Sequence, residues 1–112
     1  MTKSMRLRRR HEFLAVQSAG KKVNTRHFVA LVARAASGVT GGRVGLTVSK
    51  RVGVAAVRNR VKRLVREWLR THEWIPDGYD VVIIAKDSAA SLGGLREAGV
   101  DLARIRGAVA AC

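Results

Sequence analysis

The chain has 112 residues, the length of one domain and too short for a multi-domain machine. Its 47% hydrophobic content supports one modest core, and aromatics at 4% leave aliphatic side chains to fill it. The 22 basic residues against 8 acidic ones, a net +14, exclude an acidic disordered tail, argue against a free-standing metabolic enzyme, and point to a polyanionic partner, either nucleic acid or an anionic membrane surface.

The predicted elements follow in chain order. Residues 1–8 read as a flexible basic end. A short helix is predicted from about Arg9 to Ala19, with Phe13, Val16 and Gln17 on one side and Gly20 as its C-cap. Phe28 to Arg34, FVALVAR, reads as a strand. Ser37 to Gly42 reads as a flexible turn. In Arg43 to Ser49, Val44, Leu46 and Val48 alternate with Gly45, Thr47 and Ser49, the period of a half-buried strand. The turn between these two strands makes a hairpin plausible.

From about Val54 to Thr71 the period becomes helical. Val57, Val61, Leu64, Val65 and Trp68 form one apolar stripe. Arg58, Asn59, Lys62, Arg63, Arg66 and Arg70 share another arc, while Arg60 lies beside Glu67 at the opposite margin of the stripe. Pro76-Asp77-Gly78 is a turn signal, and Trp74 and Tyr79 around it receive no role. Tyr79 to Ala85, YDVVIIA, is a continuous apolar run fit for a central strand. Leu92, Leu95, Leu102, Ile105 and Val109 suggest a last amphipathic helix. Gly93, Gly94, Gly99 and Gly107 weaken it, so docking must support it, and 107–112 read as a flexible end. The whole is a single α+β domain spanning 1–112, with helices packed on a small mixed sheet.

Charge is unevenly spread. Residues 1–70 hold 18 of the basic residues and two acids, Glu12 and Glu67; residues 71–112 hold four basic and six acidic residues. The polyanion should meet the N-terminal two-thirds. Val52 to Glu67, VGVAAVRNRVKRLVRE, concentrates this charge on one helix. Like charges at i, i+4, such as Arg58, Lys62 and Arg66, repel by a few tenths of a kcal/mol per pair. Glu67, the only acid in the segment, cannot neutralise them. A phosphate-rich partner compensates, because guanidinium groups bind phosphate bidentately and stack on bases. Asn59 adds a donor and an acceptor. A solvated face and a membrane-surface helix are the alternatives. The second fits less well, because the apolar stripe is needed to cover the sheet.

Other chemistry finds little support. Cys112, the one cysteine, cannot form an internal disulfide. His11, His27 and His72 lack metal-ligand spacing, although Arg26-His27 could touch phosphate and His72-Glu73 reads as solvated. Asp80 and Asp87 flank an apolar strand, a poor arrangement for a shared metal. Gly41-Gly42 is a turn and not a phosphate loop. With no apolar run of membrane length and no signal peptide, the chain is expected to be cytosolic, with no membrane partner and no small-molecule substrate.

The run Ala55, Arg58-Asn59-Arg60, Lys62-Arg63, Arg66 resembles the signature of the protein subunit of bacterial ribonuclease P. RLRRRHEF at Arg6 to Phe13, RVGLTVSKRVG at Arg43 to Gly53 and VVIIAK at Val81 to Lys86 resemble its flanking segments. The resemblance covers roughly Arg6 to Ile105. It implies a small two-layer sandwich on a mixed sheet of about four strands, with the signature helix in a left-handed crossover between parallel strands. It implies an accessory subunit of a ribonucleoprotein endoribonuclease. The RNA subunit carries the active site and, with magnesium bound mainly through RNA, removes the 5′ leader from precursor tRNA. The implied partners are that catalytic RNA and precursor tRNA. By position, Lys50, Arg51, Arg58, Asn59, Arg60, Lys62, Arg63 and Arg66 are assigned to the catalytic RNA. Phe13, Gln17, Arg26 and Phe28 are assigned to the leader. Gln17 and Leu31 stand where many members have aromatics, and core packing is the competing reading for Phe13 and the favoured one for Phe28. A general basic module, such as a ribosomal protein or RNA chaperone, is the alternative function.

Overall fold

The computed structural model describes residues 21–34, 42–74, 76 and 78–111. The predicted first helix, with Phe13 and Gln17, and the basic end at 1–8 lie outside the described residues.

One four-stranded sheet forms from β1 (Lys21–Asn24), β2 (Phe28–Arg34), β3 (Arg43–Thr47) and β4 (Tyr79–Ala85), in the order β1-β2-β4-β3. Among the described residues, two helices, α1 (Ala55–Thr71) and α2 (Leu95–Ala110), join the sheet in an α+β domain, with short 3-10 turns at Lys50–Val52 and Asp87–Ser91.

The expected hairpin between β2 and β3 does not form. β4 lies between them, antiparallel to β2 from Phe28↔Ala85 to Arg34↔Tyr79 and parallel to β3 from Arg43↔Asp80 to Thr47↔Ile84. Val81, Val82 and Ile83 are each fully buried although their side chains alternate between faces, so β4 takes the centre. α1 makes the crossover that parallel pairing requires. β1 was not anticipated. In KKVN only Val23 is partly covered, a pattern with no visible period, and its lysines mark a protected edge. The turn into β2 is closed by Thr25, whose Oγ1 donates to the Phe28 carbonyl at 2.8 Å.

The core lies between one sheet face and both helices. Phe28, Ala30, Val32, Val44, Val81, Ile83 and Ala85 meet Val61, Val65, Trp68 and Leu69 of α1 and Ala98, Leu102, Ile105 and Val109 of α2. Burying each larger aliphatic side chain contributes roughly 1.5–3 kcal/mol. Leu31, Ala33 and Ile84 gather around Val82 on the other face. There Arg43 grips the cross-strand Asp80, Nε to Oδ1 at 3.1 Å and Nη2 to Oδ2 at 2.9 Å.

Docking supports α2, as its glycines required. A Cβ at Gly99 would lie 3.0 Å from Trp68 Nε1, so glycine lets the indole approach. Trp68 also stacks on His72, with ring centroids 4.2 Å apart, and lies under the Arg106 guanidinium at 5.2 Å. His72 is exposed, as expected, with one ring face covered by the tryptophan. α1 ends in paired bonds, Trp74 N–H to Leu69 O at 3.3 Å and Glu73 N–H to Arg70 O at 3.2 Å, with Glu73 at φ 48°. Trp74 and Tyr79 pack partly buried against the core. Within the stretch read as a flexible end, residues 107–110 are helical: α2 continues to Ala110 and buries Val109, because the apolar spacing persists past Gly107.

Candidate nucleic-acid interface

The stripe that buries Val61, Val65, Trp68 and Leu69 turns the opposite arc of α1 outward. Asn59, Lys62, Arg63, Arg66, Glu67 and Arg70 line a shallow, open concavity of about 300 Å³ on that arc. Glu67 pairs with Arg70. Among the described residues, Lys62, Arg63 and Arg66 have no acid within ion-pair distance. Three unneutralised cations along little more than one helical turn create a positive potential that water and salt screen only partly, which suits a phosphate backbone. Asn59 at the same surface offers amide hydrogen bonds.

Lys50 and Arg51 are exposed on the 3-10 turn leading into α1, anchored by buried Val52. Arg51 approaches Asp87 at 3.7 Å, both well exposed. Arg58 sits at the margin of the buried stripe, half-buried, with its Nε shielded and without a hydrogen-bond partner. Arg60 turns away from the concavity and donates from Nη2 to the Leu92 carbonyl. Its place off the main basic arc was legible on the helical wheel. The Leu92 contact was not, because it joins residues 32 positions apart.

Of the residues assigned to the leader, Arg26 and Phe28 are among the described positions, and Phe13 and Gln17 lie outside them. Phe28 is fully buried, in keeping with core packing, the favoured reading for it. Period 2 explains why: Phe28 and Leu31 are an odd number apart and face opposite sides of the sheet. Arg26 is exposed in the β1–β2 turn. Its neighbour His27 is buried, not free to meet phosphate. The His27 backbone N–H donates to Asp101 Oδ2 at 2.7 Å, and the ring meets Ser88 Oγ at 3.0 Å through Nδ1. His27 Nε2 lies 3.6 Å from Glu97 Oε1. This link between the turn and α2 had no sequence signal, being assembled from three separate segments. Asp80 is held by Arg43, and Asp87 lies past the other end of β4 beside Arg51. Among the described residues no helix is long and apolar enough to cross a membrane.

Comparison with known proteins places these features in a lineage. A family model described as Ribonuclease P matches residues 1–97. The Ribonuclease P protein component of Desulfovibrio desulfuricans is 42% identical over 106 residues, covering 94% of this chain and 77% of that protein. The solved RNase P protein of Staphylococcus aureus superposes with a TM-score of 0.81 at 27% identity, covering 90% of this chain and 91% of its own. That of Thermotoga maritima gives 0.77 at 31% identity, covering 89% and 93%.

Proposed function

This chain belongs to the ribonuclease P protein-component family, and from that premise we propose that it is the RNA-binding subunit of a cytoplasmic endoribonuclease that removes the 5′ leader from precursor tRNA. Its partner is a catalytic RNA, which supplies the hydrolytic site. The observation that carries this reading is the α1 face: Asn59, Lys62, Arg63 and Arg66 together, the cations free of acidic partners, with Lys50 and Arg51 exposed at the approach to the helix. These side chains bind phosphate and offset its charge. The buried stripe beneath them holds the helix rigidly, so the cations are presented in fixed register.

Among the described residues the donor set does not fit a magnesium ion. Asp80 is engaged by Arg43 and Asp101 by the His27 amide. Among the described residues no three acidic, histidine or cysteine side chains converge. In this proposal magnesium is bound mainly through the RNA partner. The leader contacts reduce to Arg26, with Phe13 and Gln17 on the predicted first helix; Phe28 contributes through the core alone.

The test is reconstitution. Purified protein added to a bacterial ribonuclease P RNA at low magnesium should promote precursor-tRNA cleavage. It should also bind that RNA in preference to ribosomal RNA fragments in competition. Failure to promote cleavage overturns the proposal, and equal binding to all structured RNAs supports a general basic module instead.

A further inference from the structure

We propose that Arg60, although it stands inside the signature run, is a positioning residue that sets the RNA-binding face of α1, and is not itself a phosphate contact. This inference rests on the RNA reading of α1 given above. Arg60 is half-buried, and its Nη2 donates to the carbonyl of Leu92, a residue 2% exposed. At about 100° per residue, Arg60 lies about 160° from Lys62, about 120° from Arg66 and about 60° from Arg63, on the side of Arg63 that borders the buried stripe. A phosphate backbone running over Lys62 and Arg66 would have to pass beyond Arg63, toward the buried stripe, to reach it. Glu67, about 20° from Arg60 on the same wheel, lowers the potential on that side.

The carbonyl that Arg60 takes is well placed for a positioning role. Leu92 closes the 3-10 turn Asp87–Ser91 and leads directly into α2. The next residue, Gly93, donates its N–H to Glu97 Oε2 at 2.8 Å, which fixes the start of α2. The same turn is fastened to the β1–β2 turn, where Ser88 Oγ meets His27 Nδ1 at 3.0 Å and donates to the Arg26 carbonyl at 3.3 Å. Arg60 therefore ties α1 to a connection that also holds the turn carrying Arg26. A guanidinium suits this task because its fixed fork spans a distance that a shorter donor cannot, and its charge strengthens the bond to the carbonyl.

The experiment measures binding of the full-length protein to a bacterial ribonuclease P RNA across a salt series, at a temperature well below each variant's melting point. Arg60→Met and Arg60→Gln both remove the charge, so either suffices if the other folds poorly; Arg63→Ala serves as the reference. The expected result for Arg60 is a loss of affinity of roughly three- to tenfold at every salt concentration, the size of a typical indirect coupling, with an unchanged salt slope. Arg63→Ala should flatten the slope by up to about one unit. A flattening of about one unit for the Arg60 variants would show a direct phosphate contact and overturn the proposal. So would an unchanged affinity accompanied only by a lower melting temperature, the mark of a merely structural residue. An unchanged slope for Arg63→Ala would overturn the reading of the helix face itself, independently of Arg60.

Discussion

Replacing Arg43 by methionine removes the partner of a buried carboxylate while keeping most of the side-chain volume. The Asp80 side chain is 9% exposed and Arg43 22%, and two bonds of 2.9 and 3.1 Å join them directly across the β3–β4 ladder. Breaking a fully buried pair from one side costs about 3–5 kcal/mol. The partial exposure of Arg43 admits water, so about 2–3 kcal/mol is expected here. At about 4 °C per kcal/mol for a domain near this size, the melting temperature should fall by roughly 8–12 °C. The double variant Arg43→Met with Asp80→Asn removes the stranded charge. It should be more stable than Arg43→Met alone by about 1 kcal/mol or more. Thermal and urea unfolding at neutral pH measure both. The pair lies on the sheet face turned away from α1, so RNA affinity well below the melting point should not change. A melting point within about 2 °C of the parent, or strictly additive effects in the double variant, would refute the reasoning.

Three further outcomes are expected. Converting Lys62, Arg63 and Arg66 together to alanine should flatten the salt dependence of RNA binding by about two to three units. It should leave the melting temperature level or slightly raised, because like-charge repulsion is relieved and alanine favours the helix; salt titration and calorimetry check the two halves. Gly42→Ala would place a Cβ 2.0 Å from the Pro76 carbonyl oxygen, a backbone atom that cannot step aside, so a loss of about 2 kcal/mol or more should appear in urea unfolding. Asp101→Ala strands the buried His27 N–H without its 2.7 Å acceptor, and should cost about 1–3 kcal/mol with faster exchange of that amide by NMR.

Much of the interface was legible because helical periodicity is a local property. The 3.6-residue repeat separated Val61, Val65 and Trp68 from Lys62, Arg63 and Arg66 without knowledge of any other element, and it set Arg60 apart from that arc. The same period extended through Leu102, Ile105 and Val109, though the glycines disguised where α2 ends. A glycine counted as a propensity cost at 99 proved to be a packing requirement, visible only once Trp68 lay against it.

Strand pairing could not be read in the same way, since sequence proximity does not choose partners. β2 and β3 are consecutive yet separated by β4, because the strand that is apolar on both faces must have neighbours on both edges. Phe28 shows the division plainly. Its family position assigned it to RNA while core packing was the favoured reading, and strand alternation with the arrival of two helices places it in the core. By itself the sequence determined the chain's positive charge, the helix that concentrates it and the spacing of the cations along that helix. The tertiary structure decided which of those cations remain free, because burial and long-range hydrogen bonds depend on residues brought together only when the chain folds.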